Sequence, residues 1–485
     1  MKSTLLKATF YLTLSSVIFM TSGYIINIWL GRHLGPSEYG VYGIIISIVT
    51  VINLTQIAGL PQAVAKYISS DIDNSEAIYR TGFLLQLIST CLVSLIFFLF
   101  SQSIANLLKD SNLTLYLQLA AFIFPIYGLF ALLTGYYNGM HLFGRQAFIH
   151  IVYSVVKVIT IFILAIYFHL LGVIIGFIIS PIIAMLSGFH MPRSDSTYFP
   201  FKKLLLFSLP LICVAIFSNL LQSIDLFFVK AIMHSDKYAG FYTANQNIAE
   251  IPFYALTALS SILLPSISRS VSQNLHEQTR SLISKSLRFG ILILTPGVIL
   301  ISATSFKILA FLFSSEYSPG ATSLSILVIG SGFFTLFTLL STIISSAGFP
   351  HKSAILAGIG VLITSFLCML LIPHFGLNGA ALATTIAGGF MMIASAVIVY
   401  RKFNVLFSIK SVIKIFLSSI VIFFLAKIIN VPTFFLPMLY IALFIIYLYL
   451  LSAMREITHN DIELVKSLLP SKIIKFLNMN MSNRR

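Results

Sequence analysis

The feature that most constrains this chain is a series of apolar runs, each about 20 residues long, which recurs from Phe10 to Met454. A helix of that length crosses the ~30 Å hydrocarbon core of a bilayer. Charged residues make up only 9% of the 485 residues, against about a quarter in soluble domains, so a soluble fold is excluded. We therefore predict an all-α polytopic membrane protein with about fourteen transmembrane helices. The predicted spans lie near residues 10–30, 40–60, 81–104, 115–137, 147–168, 171–189, 204–229, 239–264, 287–312, 323–346, 353–372, 377–400, 409–429 and 433–454.

The Lys and Arg residues are divided unequally between the two faces of this predicted bundle. Of the 30 cations, 23 fall on the face that also holds both termini. Cytoplasmic loops of membrane proteins carry such an excess. We therefore predict a multi-pass protein of the cell membrane with both termini in the cytoplasm. The net charge of +16 is then a topology signal, and we expect no nucleic-acid partner.

An internal duplication is indicated by a short motif that returns about midway along the chain. Leu34–Tyr42 opens the second predicted span, and His234–Tyr242, which shares its final Gly-x-Tyr, opens the eighth. Parallel repeats of six helices are a known transporter plan, although apolar segments also resemble one another by chance. The predicted organisation is a six-helix lobe at 1–190, a cytoplasmic linker at 191–203, a second lobe at 204–400, two added helices at 401–454 and an amphipathic cytoplasmic tail at 455–485.

The same motif carries a family resemblance. Leu34-Gly35-Pro36 followed by Tyr39-Gly40-x-Tyr42 resembles the polysaccharide-transporter branch of the multidrug/oligosaccharidyl-lipid/polysaccharide exporter superfamily. The segment Gly59–Tyr67 and the later Gly240-Phe241-Tyr242 are similar to further parts of that family. The resemblance implies two six-helix lobes in a V that alternates between inward-open and outward-open states. It also implies a flippase for polyprenyl-linked sugars.

Polar residues inside the predicted spans are the candidate site residues, because ionisable groups at membrane depth usually mark a pathway or a pair. Gln222 and Asp225 share a face of the seventh span, and Asn247, Glu250 and Tyr254 share a face of the eighth. The remaining candidates lie on the first, second and fifth spans, or at their ends: Arg32, Asn53, Gln56 and Lys157. In the resembled fold, the first, second, seventh and eighth helices line the central cleft.

The functional interpretation gives each group a task. Arg32 and Lys157 would attract the anionic pyrophosphate of a lipid-linked sugar. Asp225 or Glu250 would carry a coupling proton or Na⁺, and the amides with Tyr254 would meet sugar hydroxyls. The structural alternative is that Asp225 pairs with Lys230 or lies in the outer interface, and that Arg32 and Lys230 snorkel there.

Three functions compete at this point. The first is flipping of a lipid-linked oligosaccharide for cell-surface polysaccharide or glycan synthesis, with membrane lipids, glycosyltransferases and a polymerase as partners. The second is cation-coupled multidrug antiport, which would favour an acidic cleft. The third is a membrane-embedded sugar polymerase or ligase, but such enzymes usually need a large outer loop. We predict a transporter without a nucleotide-hydrolysis motif, because no Gly-x-x-x-x-Gly-Lys-Ser/Thr occurs. We also predict no cofactor and no metal site.

Overall fold

The computed structural model describes residues 2–192, 199–273 and 275–456, and all regular structure in this part of the chain is helical. The predicted tail beyond residue 456 and the middle of the predicted linker lie outside the described residues. The sixteen α-helices of the described part are α1 (Lys2–Ala58), α2 (Leu60–Ser70), α3 (Ser75–Leu107), α4 (Leu113–Ala120), α5 (Ile123–Gly139), α6 (Phe143–Ser187), α7 (Phe201–Met233), α8 (Asp236–Ala249), α9 (Ile251–Ser272), α10 (His276–Ala303), α11 (Ser305–Leu312), α12 (Ala321–Ser346), α13 (Pro350–Phe375), α14 (Leu377–Phe403), α15 (Ile409–Ile428) and α16 (Leu436–Ala453). Short 3₁₀ helices lie at Ser315–Gly320 and Thr433–Phe435.

Eleven helical stretches of the described residues are long and apolar enough to cross a membrane. The prediction of an all-helical, multi-pass membrane protein is therefore confirmed. The longest of these stretches, Phe10–Ser70 and Phe143–Ser187, exceed the roughly 25 residues of a single crossing.

Each of the two long stretches contains a sharp backbone break. Gly35 in α1 has φ 73° and is followed by Pro36, which cannot donate a helical hydrogen bond. His169 in α6 has φ 49°. After that break the chain folds back so closely on itself that a side chain at Gly172 would overlap the backbone carbonyl of Leu164. The breaks fall between the predicted spans 10–30 and 40–60 and between 147–168 and 171–189.

Three spans predicted as continuous are interrupted, which corrects the sequence-based boundaries. The span 115–137 divides into α4 and α5, and the span 239–264 divides into α8 and α9 at Glu250. In both cases a proline, Pro125 or Pro252, lies in the first turn of the second helix and removes a backbone donor. The span 287–312 divides at Thr304, whose hydroxyl donates to the Leu300 carbonyl at 2.7 Å.

The helices pack differently at the two ends of the bundle. We use "N-terminal half" for residues 2–187 and "C-terminal half" for residues 201–403. At the "crossing end", where Gly40 and Gly240 meet, one buried core joins residues of both halves, such as Tyr39 and Tyr242. At the opposite "tail end" the cores are separate. One lies around α2, α5 and α6, and the other around α10, α12 and α14.

Candidate functional site

A small cavity inside the C-terminal half brings together polar side chains from α7, α8, α12, α13 and α14. It encloses about 50 Å³. Asp225, Gln222 and Glu250 line this "acidic cavity", together with Gln246 and Thr384. Three of the predicted site residues therefore share one cavity. Among the described residues, no group of three His, Cys, Asp or Glu side chains could hold a metal ion.

Asp225 is the most completely hydrogen-bonded of these groups and is only 2% exposed. Its Oδ2 accepts from the Tyr242 hydroxyl at 2.7 Å and from the Thr384 hydroxyl at 2.8 Å. Its Oδ1 accepts from Gln246 Nε2 and from the Leu226 backbone N–H, both at 2.9 Å. These hydrogen bonds to both carboxyl oxygens allow Asp225 to be buried at membrane depth.

Glu250 lies at the interruption between α8 and α9. The Tyr254 hydroxyl donates to Glu250 Oε2 at 3.4 Å, a long contact. The ring of Tyr254 in turn meets Tyr24 of α1 edge-on, with centroids 5.9 Å apart. This pair of tyrosines therefore connects the acidic cavity to the interface between the two halves.

A chain of hydrogen bonds crosses that interface beside α8. Asn247 Nδ2 donates to the Tyr39 hydroxyl at 3.3 Å, and that hydroxyl donates to Asn27 Oδ1 at 3.1 Å. Tyr39 is fully buried. Asn247 is thus engaged in contact between the halves and does not line the acidic cavity.

Lys157 lies in the N-terminal half, apart from the acidic cavity, and is 6% exposed. Its Nζ is 4.7 Å from the centroid of the Phe19 ring and 5.2 Å from that of Tyr153. Two aromatic faces stabilise an ammonium group without neutralising it.

Asn53 and Gln56 lie elsewhere in the N-terminal half. The side-chain oxygen of Asn53 and both amide atoms of Gln56 are buried and have no hydrogen-bond partner among the described residues. A side chain at Gly128 would press against the Gln56 amide and also against Gln86. Gln56 and Gln86 therefore lie close together beside Gly128, and neither Asn53 nor Gln56 lines the cavity that contains Asp225 and Glu250. Unsatisfied buried polar atoms of this kind cost free energy unless a ligand or water occupies the site.

Arg32 is at the crossing end, outside both polar regions. Its Nε donates to the Leu312 carbonyl at 2.8 Å, and its guanidinium also donates to the Phe311 carbonyl. Arg32 therefore caps the end of α11 and joins the halves. Nearby, the Tyr317 hydroxyl donates to the Gly31 carbonyl at 2.7 Å.

Lys230 does not pair with Asp225, so the structural alternative raised from the sequence is wrong for that carboxylate. Lys230 Nζ is instead 2.6 Å from Asp110 Oδ2, and it also contacts Asp236. Asp110 belongs to the connection between α3 and α4, in the N-terminal half. Lys230 is 3% exposed and Asp236 is 36% exposed, so the triad joins the two halves at the crossing end through a buried lysine.

Sequence reasoning missed Tyr242 and Thr384 as partners of Asp225. Tyr242 belongs to the repeated Gly-x-Tyr motif, which is a signal that could have identified it. Thr384 sits in an otherwise apolar stretch of α14 and carries no such signal. Its proximity to Asp225 depends on how α14 packs against α7.

The family comparison decides the identity of this architecture. Residues 29–322 match the family model described as "Polysaccharide biosynthesis protein". The chain belongs to this family. The match includes the repeated motif, the ion-paired triad and the part of the acidic cavity between Leu221 and Phe253, and it confirms the superfamily resemblance seen in the sequence.

Individual members and structural neighbours agree with the family assignment. A Shigella flexneri protein provisionally named as an O-antigen transporter is 26% identical over 378 residues, covering 74% of this chain and 88% of its own. The solved inward closed structure of the lipid II flippase MurJ is similar with a TM-score of 0.77 at 16% identity, covering 91% of this chain and 98% of MurJ. An inward-facing multidrug resistance transporter of the MATE family, in the MOP superfamily, has a TM-score of 0.70 at 15% identity over 82% of this chain and 98% of that one. At these identities the two structures show a shared fold.

Proposed function

We propose that this protein is a flippase that moves a polyprenyl-(pyro)phosphate-linked oligosaccharide or polysaccharide precursor from the cytoplasmic to the outer leaflet. The observation that carries the proposal is the membership of the polysaccharide biosynthesis family across residues 29–322. The fold of a lipid II flippase and the similarity to an O-antigen transporter support it. Its partners would be membrane lipids and the glycosyltransferases and polymerase of the same pathway.

We further propose fourteen membrane crossings arranged as two six-helix lobes and two added helices. The breaks at Gly35 and His169 divide two of the eleven spanning stretches, which raises the count to thirteen. The α8–α9 pair supplies the fourteenth. The contact of Gly40 with Gly240 supports the repeat, because equivalent positions of the two motifs meet.

The proposed orientation sets the crossing end outside and the tail end in the cytoplasm, in the cell membrane, as the excess of cations favours. The joint core at the crossing end and the separate cores at the tail end correspond to a state closed to the outside. Transport would require the crossing end to open while the tail end closes. This alternation needs two arrangements of similar stability.

Lys157 is the proposed anchor for the anionic head group. Its amino group is buried against aromatic rings and forms no ion pair with a carboxylate of the described residues, so an incoming phosphate would supply the missing anion. Arg32 donates to two backbone carbonyls in this state, which supports a role in closing the crossing end. Asp225 and Glu250 are the proposed carriers of a coupling proton or Na⁺, and the nearby amides and Tyr254 would meet polar groups of the cargo.

The direct test reconstitutes the protein in liposomes and follows a fluorescent polyprenyl-pyrophosphate sugar between leaflets under an imposed ion gradient. We expect wild-type transfer well above that of empty liposomes and a loss of at least tenfold in Lys157→Ala. Lys410→Ala is the matched control, because Lys410 is exposed at the tail end. Wild-type rates equal to those of empty liposomes would contradict the flippase function.

Cation-coupled multidrug antiport is the second candidate, favoured by two carboxylates on one cavity and by the MATE-like fold. The same liposomes distinguish multidrug antiport from lipid flipping. An antiporter would export a lipophilic organic cation against a proton or Na⁺ gradient, and that activity would require Asp225 but not Lys157.

A further inference from the structure

A second cavity, larger than the acidic one, lies at the tail end of the C-terminal half. Its volume is about 270 Å³. It is formed where α12 ends, α13 begins and α14 ends. No residue of the acidic cavity or of the crossing end takes part in it.

The lining of this "basic cavity" is divided between an apolar floor and a cationic rim. Ile344 and Val399 are buried in the floor. Lys352, Arg401 and Lys402 form the rim and are exposed. An apolar base under several cations is the chemistry that suits an amphipathic anion.

The ring of Phe349 holds the two lysines of the rim in place. Lys352 Nζ is 4.7 Å from the ring centroid and Lys402 Nζ is 5.1 Å from it. Lys352 comes from α13 and Lys402 from α14, so one ring gathers two ammonium groups from different helices. Contact with an aromatic face orients an ammonium group but leaves its charge in full.

These cations have no carboxylate partner among the described residues. At the same end, Lys414 and Arg288 share Glu456, at 3.2 Å and 3.4 Å, and Arg280 lies 3.4 Å from Glu277. No such pair is made by Lys352, Arg401 or Lys402. A topological bias explains why cations occupy one face of the membrane, but it does not require three of them to converge on one cavity.

We propose that the basic cavity binds the phosphate-bearing head group of an anionic lipid from the leaflet at the tail end. The helices on either side present apolar residues for the acyl chains, with Ile355 59% exposed on α13 and Val397 44% exposed on α14. Basic pockets between transmembrane helices are known to receive such head groups. A bound phosphate would join the α12–α13 turn to the end of α14 and stabilise the tail end of the C-terminal half.

The experiment titrates the full-length, detergent-solubilised protein with dioctanoyl phosphatidylglycerol and with dioctanoyl phosphatidylcholine, and counts bound lipids by native mass spectrometry. We expect a clear preference for phosphatidylglycerol. The double variant Lys352→Gln/Lys402→Gln should weaken that binding by roughly 25-fold, at about fivefold for each lysine. The charge-preserving Lys352→Arg/Lys402→Arg should retain it.

The matched control is Lys285→Gln/Lys410→Gln, which removes two exposed charges outside the basic cavity. We expect it to bind phosphatidylglycerol like the wild type. Equal losses in both double variants, or no preference for the anionic lipid in the wild type, would overturn the proposal. Competition by inorganic phosphate at the same concentration as the lipid would overturn the assignment to a lipid and indicate a free phosphate site.

Discussion

The two ends of the bundle hold the N-terminal and C-terminal halves together in different ways. At the crossing end the halves share one core, and the backbones of α1 and α8 touch at Gly40 and Gly240. At the tail end there are two separate cores, and the one in the N-terminal half also includes Leu204 from the first turns of α7, where the Tyr67 hydroxyl lies 3.5 Å from the Lys203 carbonyl oxygen. Resistance to opening is therefore concentrated at the crossing end.

The hydrogen bonds and ion pairs between the two halves are also concentrated at the crossing end. Arg32, Tyr317 and Lys230 each bond across the halves at the crossing end. These bonds end on the Leu312 and Gly31 carbonyls and on the Asp110 carboxylate, and all of them are lost when the halves separate. The difference implies that substitutions at the crossing end shift the opening equilibrium, while equivalent substitutions elsewhere alter stability alone.

The largest effect is expected from Gly40→Ala. A methyl group there would overlap the Asp236 carbonyl, so the two helices must move apart at a cost of about 1–3 kcal/mol or more. We expect transport to fall at least tenfold and the crossing end to open. The measurement is the distance between spin labels at Ser37→Cys and Ser315→Cys in a background without native cysteines.

Gly23→Ala is the control for that change, because a Cβ at Gly23 meets nothing within 4 Å. It should leave both transport and the label distance unchanged. An unaltered distance in Gly40→Ala would mean that the glycine contact does not hold the crossing end closed.

Lys230→Met should have the next largest effect. It leaves Asp110 and Asp236 without their shared cation, and the loss of one partner from a buried ion pair costs about 3–5 kcal/mol, less here because Asp236 is 36% exposed. We expect a lower melting temperature and a longer label distance. Lys237→Met, at an exposed lysine in the first turn of α8, should change neither.

Neutralising the carboxylates in the Lys230→Met background, with Asp110→Asn and Asp236→Asn, should restore part of the stability. Stability would return because the destabilisation comes from unpaired charge. If the triple variant were no more stable than Lys230→Met, loss of packing and not of pairing would explain the effect.

Tyr317→Phe tests a single hydrogen bond across the halves. Losing its bond to the Gly31 carbonyl should cost about 1 kcal/mol. Tyr447→Phe is a matched variant, because Tyr447 donates to the Leu292 carbonyl at 3.0 Å without joining the two halves. Both should lower the melting temperature similarly, but only Tyr317→Phe should lengthen the label distance.

Tyr67→Phe is expected to have the smallest effect. Its hydroxyl contact at the tail end is long, so its removal should cost less than about 0.5 kcal/mol. Melting temperature and label distance should both match the wild type. A loss as large as that of Tyr317→Phe would show that the tail end also holds the halves together.

Much of the fold could be predicted from the sequence, because crossing a bilayer imposes a length and an apolar composition that can be counted. The interruptions near Pro125 and Pro252 could have been anticipated from the missing backbone donors. The interruption at Thr304 could not have been anticipated. The candidate residues on α7 and α8 were found by helical spacing, and Asp225, Gln222 and Glu250 do share a cavity.

Other parts of the candidate site depended on tertiary packing. Helical spacing gave no indication that Arg32 would bind carbonyls of α11, or that Asn53 and Gln56 would be buried apart from Asp225. The basic cavity was equally hidden, since Lys352 and Lys402 are 50 positions apart and meet only over Phe349. Local patterns contain no information about which distant helix lies opposite a given face.

The repeated motif separates what the sequence determines from what only the tertiary structure decides. By itself the sequence determined an all-helical membrane protein, a family and the similarity between Leu34–Tyr42 and His234–Tyr242. Only the tertiary structure decided that Gly40 and Gly240 touch and that Tyr242 bonds Asp225. The physical reason is that hydropathy is a property of each segment, whereas close backbone approach and buried hydrogen bonds belong to pairs of segments that the chain brings together only when it folds.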